Sequence, residues 1–124
     1  MNDLTSKRFK DSLQEAIDLF NNQKWYEAHD AFEDIWNDLV GDERQIVQGI
    51  LQVSVSQFHL NKGNLNGAMI LIGEGLGRIK NRVSEDLEID LILLCNSLES
   101  LLNKLHTNTP LNKSDVPFLK KIKR

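Results

Sequence analysis

Proline is scarce in this sequence, and glycine is not common. The chain has two prolines and seven glycines in 124 residues, and its first proline is Pro110. Because proline is the strongest helix breaker, more than a hundred residues before it are free to form helices. Valine, threonine and tyrosine never form an alternating run of strand length. These absences predict an all-α protein.

Cysteine, basic surface and long apolar runs are also missing. The single Cys95 excludes a disulfide framework and a multi-thiolate metal site within one chain. A net charge of −3 disfavours general attraction to phosphate backbones. No apolar run approaches the roughly twenty residues needed to cross a bilayer, and the first residues are charged. We therefore expect a cytoplasmic protein with no nucleic-acid and no membrane partner.

One stretch, 45–59, carries no charged side chain, although 27% of all residues are charged. Wound as a helix, it presents apolar residues over roughly 200° of its circumference, too wide an arc for a surface helix. The remaining arc is polar and uncharged and holds Gln45, Gln48, Gln52, Ser56 and His59. The pattern predicts a central helix whose polar stripe faces any binding site.

Apolar residues at helical spacing predict five helices in one bundle of antiparallel, tetratricopeptide-like hairpins. The predicted helices span residues 6–21, 24–39, 43–62, 65–82 and 84–106. Residues 1–106 form the predicted bundle domain, and 107–124 an extended basic tail. The expected core comprises Phe20, Trp25, Phe32, Trp36, Ile50, Val53, Phe58, Ile72 and Leu94.

The chain contains a weak internal repeat. Residues 19–32 (LFNNQKWYEAHDAF) align with residues 59–72 (HLNKGNLNGAMILI), forty positions later. The alignment pairs Trp25 with Leu65 and Ala28 with Ala68. It predicts two related hairpins, and coincident bundle packing is the alternative.

Two further patterns bear on packing. Gly73, Gly75 and Gly77 would each cost roughly 1 kcal/mol in a helix interior, so either a neighbour approaches closely or the glycines merely loosen the helix. The leucine stripe that includes Leu98 and Leu105 is broad. We expect a monomer, or a weak homodimer if the tail leaves that stripe uncovered.

The second helix carries a histidine and a glutamate one turn apart, His29 and Glu33. An antiparallel turn at Gly41 would bring them level with the polar stripe of the third helix. The predicted pocket comprises His29, Glu33, Gln48, Gln52, Ser56 and His59. It has three interpretations: a structural polar network, a site for a small molecule or peptide, or a divalent-metal site.

The favoured function is a non-enzymatic binding or interaction module with a small-molecule or peptide ligand and no cofactor. The alternative is a metal-dependent, hydrolase-like enzyme that uses His29, Glu33 and His59 as ligands with an open coordination position. The spacing differs from the zincin motif because Glu33 stands where a second histidine is required.

Three blocks of spaced residues stand out: Glu27, His29, Glu33 and Trp36; Gln48, Gly49 and Gln52; and His59, Gly63, Asn64, Gly67 and Ala68. These blocks resemble the domain of unknown function 309 family, small helical proteins of bacteria, archaea and plastids. The resemblance covers roughly residues 9–79, and Asp30 departs from the usual glutamate. It implies helical hairpins and no established activity.

Overall fold

A computed structural model describes residues 6–122 and confirms the all-α prediction. The helices are α1 (Lys7–Asn21), α2 (Trp25–Trp36), α3 (Gly41–Asn61), α4 (Leu65–Ile79) and α5 (Leu91–His106), followed by a short 3-10 helix at Lys113–Asp115. Residues 1–5 and 123–124, the ends of the predicted domain and tail, lie outside the described residues. No helix in 6–122 has the length and apolar character to cross a membrane.

The helices pack in chain order: α1 on α2, α2 on α3, α3 on α4 and α4 on α5. α3 is the longest helix and lies in the middle of this order. Aromatic rings join the first two helices, since Phe20 meets Trp25 and Phe32 edge to face at centroid distances of 5.0 and 6.5 Å. The uncharged stretch therefore forms a central helix, as its apolar arc predicts.

The predicted start of the fifth helix at 84 is wrong. Ser84 does accept the Leu87 N–H, at 3.3 Å, but it closes a turn, and Glu88 then has a φ of 54°. A left-handed residue cannot continue a right-handed helix. α5 begins at Leu91, where Asp90 caps it by accepting the Leu93 N–H at 3.0 Å. The predicted ends of α2 and α4 are also three residues too late.

The predicted core is confirmed except at two aromatic residues. Trp36 is half-buried against the core, and Phe58 is 41% exposed. The Arg44 guanidinium lies 3.8 Å from the centre of the Trp36 ring, which sets the level of α3 against α2. Counting from that contact, Phe58 is level with residue 22, before α2 begins. Phe58 therefore lies beyond the first residue of α2, and Lys62 lies 5.4 Å from its ring.

α3 and α4 cross at a pair of glycines. A Cβ built on Gly49 would lie 2.7 Å from the Gly75 carbonyl oxygen, and one on Gly75 would lie 2.8 Å from the Gly49 oxygen. The close approach predicted for the α4 glycines is therefore real at Gly75. Gly73 and Gly77 have open space around them, so at these two positions the alternative holds, in which the glycines merely loosen the helix.

Residues 116–122, called the C-terminal strap below, pack back on the bundle. The Asn21 side chain donates to the Leu119 carbonyl at 2.9 Å and accepts the Leu119 N–H at 2.7 Å. Ile89 and Lys121 form an isolated antiparallel bridge. Leu119 is buried, whereas Phe118 is 47% exposed. Leu98 and Leu105 of the leucine stripe are buried within the chain.

Candidate functional site

Hydrogen bonds between side chains hold α3 against α4. The Gln52 Nε2 donates to Glu74 Oε1 at 3.0 Å, and the Arg78 guanidinium donates to Gln45 Oε1 at 2.7 Å. Arg82 pairs with Asp42 at 2.7 Å near the start of α3. Gln45 and Gln52 of the polar stripe therefore lie on the α4 side of α3 and bond α4 residues.

Between its contacts with α4 and α2, α3 presents one strip of side chains, called the α3 polar face below. It comprises Gln48, Gln52, Val55 and His59, which lie within about 60° of one another on the helix. Gln52 marks the α4 edge, and Arg44, stacked on Trp36, marks the α2 edge. Gln48, Val55 and His59 are half-buried, so this face is accessible but not fully solvated.

Gln52 is the most constrained residue of the α3 polar face. It is 9% exposed, and its Nε2 is bound to Glu74. Its Oε1 is buried and has no hydrogen-bond partner among the described residues. Exchanging the amide atoms would point the oxygen at the Glu74 carboxylate, so the donor bond fixes the orientation. A buried acceptor without a partner costs about 1–3 kcal/mol.

Ser56 is satisfied inside its own helix. Its hydroxyl donates to the Val53 carbonyl oxygen and accepts from the Gln57 Nε2 at 3.3 Å. Both Ser56 and Gln57 are buried. The hydroxyl therefore serves local packing, as serine often does when it bonds back to a preceding carbonyl.

The block His59–Ala68 builds the turn between α3 and α4. Gly63 has a φ of 79°, the Gly63 N–H donates to the Leu60 oxygen at 3.1 Å, and the Asn64 N–H donates to the His59 oxygen at 2.9 Å. These two bonds around a left-handed residue form a Schellman motif. The spacing of this block follows from the turn.

The side chains of His59 and Asn64 lock the same turn. The Asn64 Oδ1 accepts the Gly67 N–H at 3.0 Å and caps α4, and its Nδ2 donates to His59 Nδ1 at 3.1 Å. Because Nδ1 accepts this bond, the neutral ring carries its proton on Nε2. In this state neither ring nitrogen has a lone pair free for a metal ion.

The turn between α1 and α2 has the same backbone pattern. Gln23 has a φ of 61°, its N–H donates to Phe20 at 3.0 Å, and the Lys24 N–H donates to Leu19 at 3.0 Å. These positions precede the corresponding ones of the second turn by forty residues. Ala28 and Ala68 are both fully buried. The internal repeat thus reflects two hairpin turns of one design.

His29 has its contacts on its own helix. Its Nδ1 lies 3.3 Å from Asp30 Oδ1, and its Nε2 lies 3.8 Å from Glu33 Oε2. The other predicted pocket residues with hydrogen bonds have partners elsewhere: Gln52 on α4, Ser56 within α3 and His59 in the following turn. Within residues 6–122, no three His, Cys, Asp or Glu side chains are grouped to hold a metal ion. His29, Glu33 and His59 therefore do not form a three-ligand site.

The sequence analysis missed three residues beside the α3 polar face: Arg44, Glu74 and Arg78. Glu74 and Arg78 are four apart, a spacing that ordinarily predicts a pair within one helix. In the structure each bonds a glutamine of α3 instead. Glu74 and Arg78 face the α3 glutamines because Gly49 and Gly75 set the antiparallel register of the two helices. In the sequence, these glycines are the only sign of that register.

A surface depression of about 380 Å³ lies elsewhere, on the outer side of α1. Exposed, mostly acidic and amide side chains line it, among them Asp11, Glu15 and Asp18. None of the predicted pocket residues lines it. It does not explain the motif residues, and the α3 polar face remains the candidate site.

Cys95 is not an activated nucleophile. Burial raises the pKa of its thiol, the nearby Glu99 carboxylate raises it further, and Lys80 opposes them. A thiol with a raised pKa is protonated and weakly nucleophilic near neutral pH. The cysteine behaves as a small apolar residue of α5.

These features define a class of protein: a small all-α protein whose central helix carries an uncharged polar face. A family model described as "Domain of unknown function (DUF309)" matches residues 13–71 and confirms the resemblance to that family. The match runs from α1 into α4 and contains all three motif blocks. Neither a curated protein nor a solved structure matches the chain.

Proposed function

We propose that the protein is a non-enzymatic binding module and that the α3 polar face receives a small-molecule or peptide ligand. The observation that carries this proposal is the buried Gln52 oxygen, an acceptor that no described residue satisfies. Gln52 lies on the same strip of α3 as the half-buried Gln48 and Val55. A polar group exposed to water already has a hydrogen-bond partner, which a ligand must replace. The Gln52 oxygen has none, so a ligand donor that reaches it adds a new hydrogen bond.

The competing metal-dependent enzyme has less support. His59 uses Nδ1 in the turn lock, and His29 lies among carboxylates of its own helix. Elemental analysis of the purified protein separates the two functions. A binding module contains no stoichiometric metal and keeps its melting temperature in chelator, whereas a metalloenzyme of this design loses stability when stripped. We place the protein in the cytoplasm, where a single thiol stays reduced.

Thermal melts of Gln52→Met test the site itself. Methionine has a similar length and removes both the unpaired acceptor and the bond to Glu74. Because the exposed Glu74 carboxylate can bond water instead, removal of the buried acceptor should outweigh the lost bond, and we expect an unchanged or higher melting temperature. The matched control is Gln45→Met, which removes an acceptor already paired with Arg78 at 2.7 Å. We expect this control to lose about 1 kcal/mol of unfolding free energy. Clear destabilisation by Gln52→Met would show a structural role for Gln52 and contradict the proposal.

A further inference from the structure

Glu74 presents a carboxylate at the edge of the α3 polar face that pairs with no cation within residues 6–122. Its recorded contact is the neutral Gln52 amide at 3.0 Å. Arg78, one turn away on α4, would ordinarily neutralise it, yet its guanidinium bonds Gln45. Among the described residues, no Lys or Arg lies within ion-pair distance of Glu74. The residue is exposed, so its charge faces solvent.

Gln52 adds a second acceptor to the same place. Its Nε2 donates to Glu74, and its buried Oε1, on the same amide group, has no partner in the described part of the chain. A carboxylate and an amide oxygen on adjacent side chains make a pair of acceptors with one negative charge. Their complement is a cationic group that carries more than one N–H donor.

We infer, resting on the proposed function, that Glu74 and Gln52 recognise a cationic N–H donor of the ligand, a guanidinium or an ammonium group. The cation pairs with Glu74 from solvent and competes with the Gln52 N–H for the carboxylate. The Gln52 side chain then moves outward and turns its oxygen toward the same cation, so that its NH2 group reaches solvent and does not take the buried position without an acceptor. The buried acceptor then gains the partner that it lacks in the free protein.

Two-dimensional NMR of the 124-residue protein tests this inference, with the Gln52 side-chain amide signals as the readout. The probes are agmatine, a free guanidinium compound, and Nα-acetyl-arginine amide, which mimics an arginine in a peptide. Nα-acetyl-citrulline amide is the neutral control because it keeps the shape and removes the charge. We expect the two cations to shift the Gln52 signals and citrulline to leave them unchanged.

Glu74→Gln keeps an acceptor but removes the charge, and should weaken cation binding about tenfold, the value of one charge-assisted bond. The matched variant is Glu99→Gln, which removes an equal charge from an exposed residue of α5. It should leave binding unchanged. A shift by agmatine alone assigns a small molecule, a shift by the arginine derivative alone assigns a peptide, and either result supports cation recognition.

Three results overturn the inference: equal shifts with citrulline, no shift with any probe, or undiminished binding by Glu74→Gln. These failures are distinct from failure of the proposed function. If the probes fail while Gln52→Met is neutral or stabilising and the protein is metal-free, the binding module stands and only the cationic ligand is wrong. Stoichiometric metal or clear destabilisation by Gln52→Met contradicts the binding module itself.

Discussion

Phe32 and Phe58 are the same residue type in opposite environments. Phe32 is fully buried, whereas Phe58 is 41% exposed beyond the start of α2. We expect Phe32→Ala to cost about 3–5 kcal/mol of unfolding free energy, because it leaves a cavity in the core. Phe58→Ala should cost only about 1 kcal/mol, since little of its contact is with the core. Urea unfolding of both variants measures the difference, and equal losses would contradict the burial assigned to Phe58.

Asp115 gives the stability a defined pH dependence. Its carboxylate accepts from the Lys104 ammonium at 2.8 and 3.0 Å and from the Asn112 N–H at 2.8 Å. The Lys104 bond and then the Asn112 bond lower the pKa of Asp115 below its ordinary value of 3.8. A lowered folded-state pKa stabilises the protein above pH 3.8, and this contribution is lost as the pH falls through the folded-state pKa.

Asp115→Asn checks this contribution. We expect the variant to be less stable than the wild type at neutral pH, with the difference shrinking as the pH falls below about 4. Urea unfolding at a series of pH values measures it. A difference that stays constant with pH would mean that the side chain acts through its shape and not through its charge.

At the scale of the helix, four glycines make opposite predictions. Gly49→Ala and Gly75→Ala would each push a Cβ to within 3 Å of the facing carbonyl oxygen, so both should destabilise the α3–α4 pair. Gly73→Ala and Gly77→Ala meet open space. They should each stabilise by about 0.5–1 kcal/mol because alanine is the better helix former.

Thermal melts of the four alanine variants separate the two groups. All four substitutions add the same single methyl group to a helix, so each group is the control for the other. Destabilisation by Gly73→Ala or Gly77→Ala would reveal a neighbour that the open space around these residues does not show. Neutral behaviour of Gly49→Ala would mean that the two helices separate easily.

The helices follow from the sequence wherever the apolar spacing alone decides them. The apolar arc identified α3 as central, and helical spacing located most of the core. The spacing failed at residues 84–90, because Leu87 is buried in a turn and Ile89 in the bridge with Lys121, not in a helix. In the sequence, a leucine buried in a turn looks the same as one buried in a helix. Here only the positive φ of Glu88, a feature of the backbone, distinguishes the turn from a helix.

The candidate site was harder to predict because it depends on which neighbour each polar side chain meets. Periodicity placed Gln48, Gln52 and His59 on one stripe of α3. The predicted pocket joined this stripe to α2, whereas Gln52 bonds Glu74 of α4. The α4 partner follows from the glycine crossing at Gly49, a contact between residues distant in the sequence. The sequence located the block from His59 to Ala68 but did not explain it. The hydrogen bonds that hold this turn depend on the backbone conformation around Gly63, which the sequence pattern does not show.

At the scale of the whole molecule, we expect a monomer. The reason for a homodimer was a leucine stripe left uncovered, and Leu98 and Leu105 are buried within the chain. Sedimentation velocity over a wide concentration range checks this expectation. Reversible association that Ile92→Lys abolishes would instead identify the outer face of α5, where Ile92 is 78% exposed, as a contact between copies.

The strap changes how the molecule should unfold. Helices that contact each other in chain order form a nearly one-dimensional array, and such arrays can fray from either end. The bonds between Asn21 and Leu119 join residues 98 positions apart and tie the first helix to the last segment. We expect Asn21→Ala to broaden the thermal transition and to separate the loss of α1 from that of α3 in hydrogen exchange. If the variant still melts in one sharp step with uniform exchange, cooperativity comes from the core alone. If instead the transition broadens, the two hydrogen bonds between Asn21 and Leu119 are what make the helices unfold together as one cooperative unit.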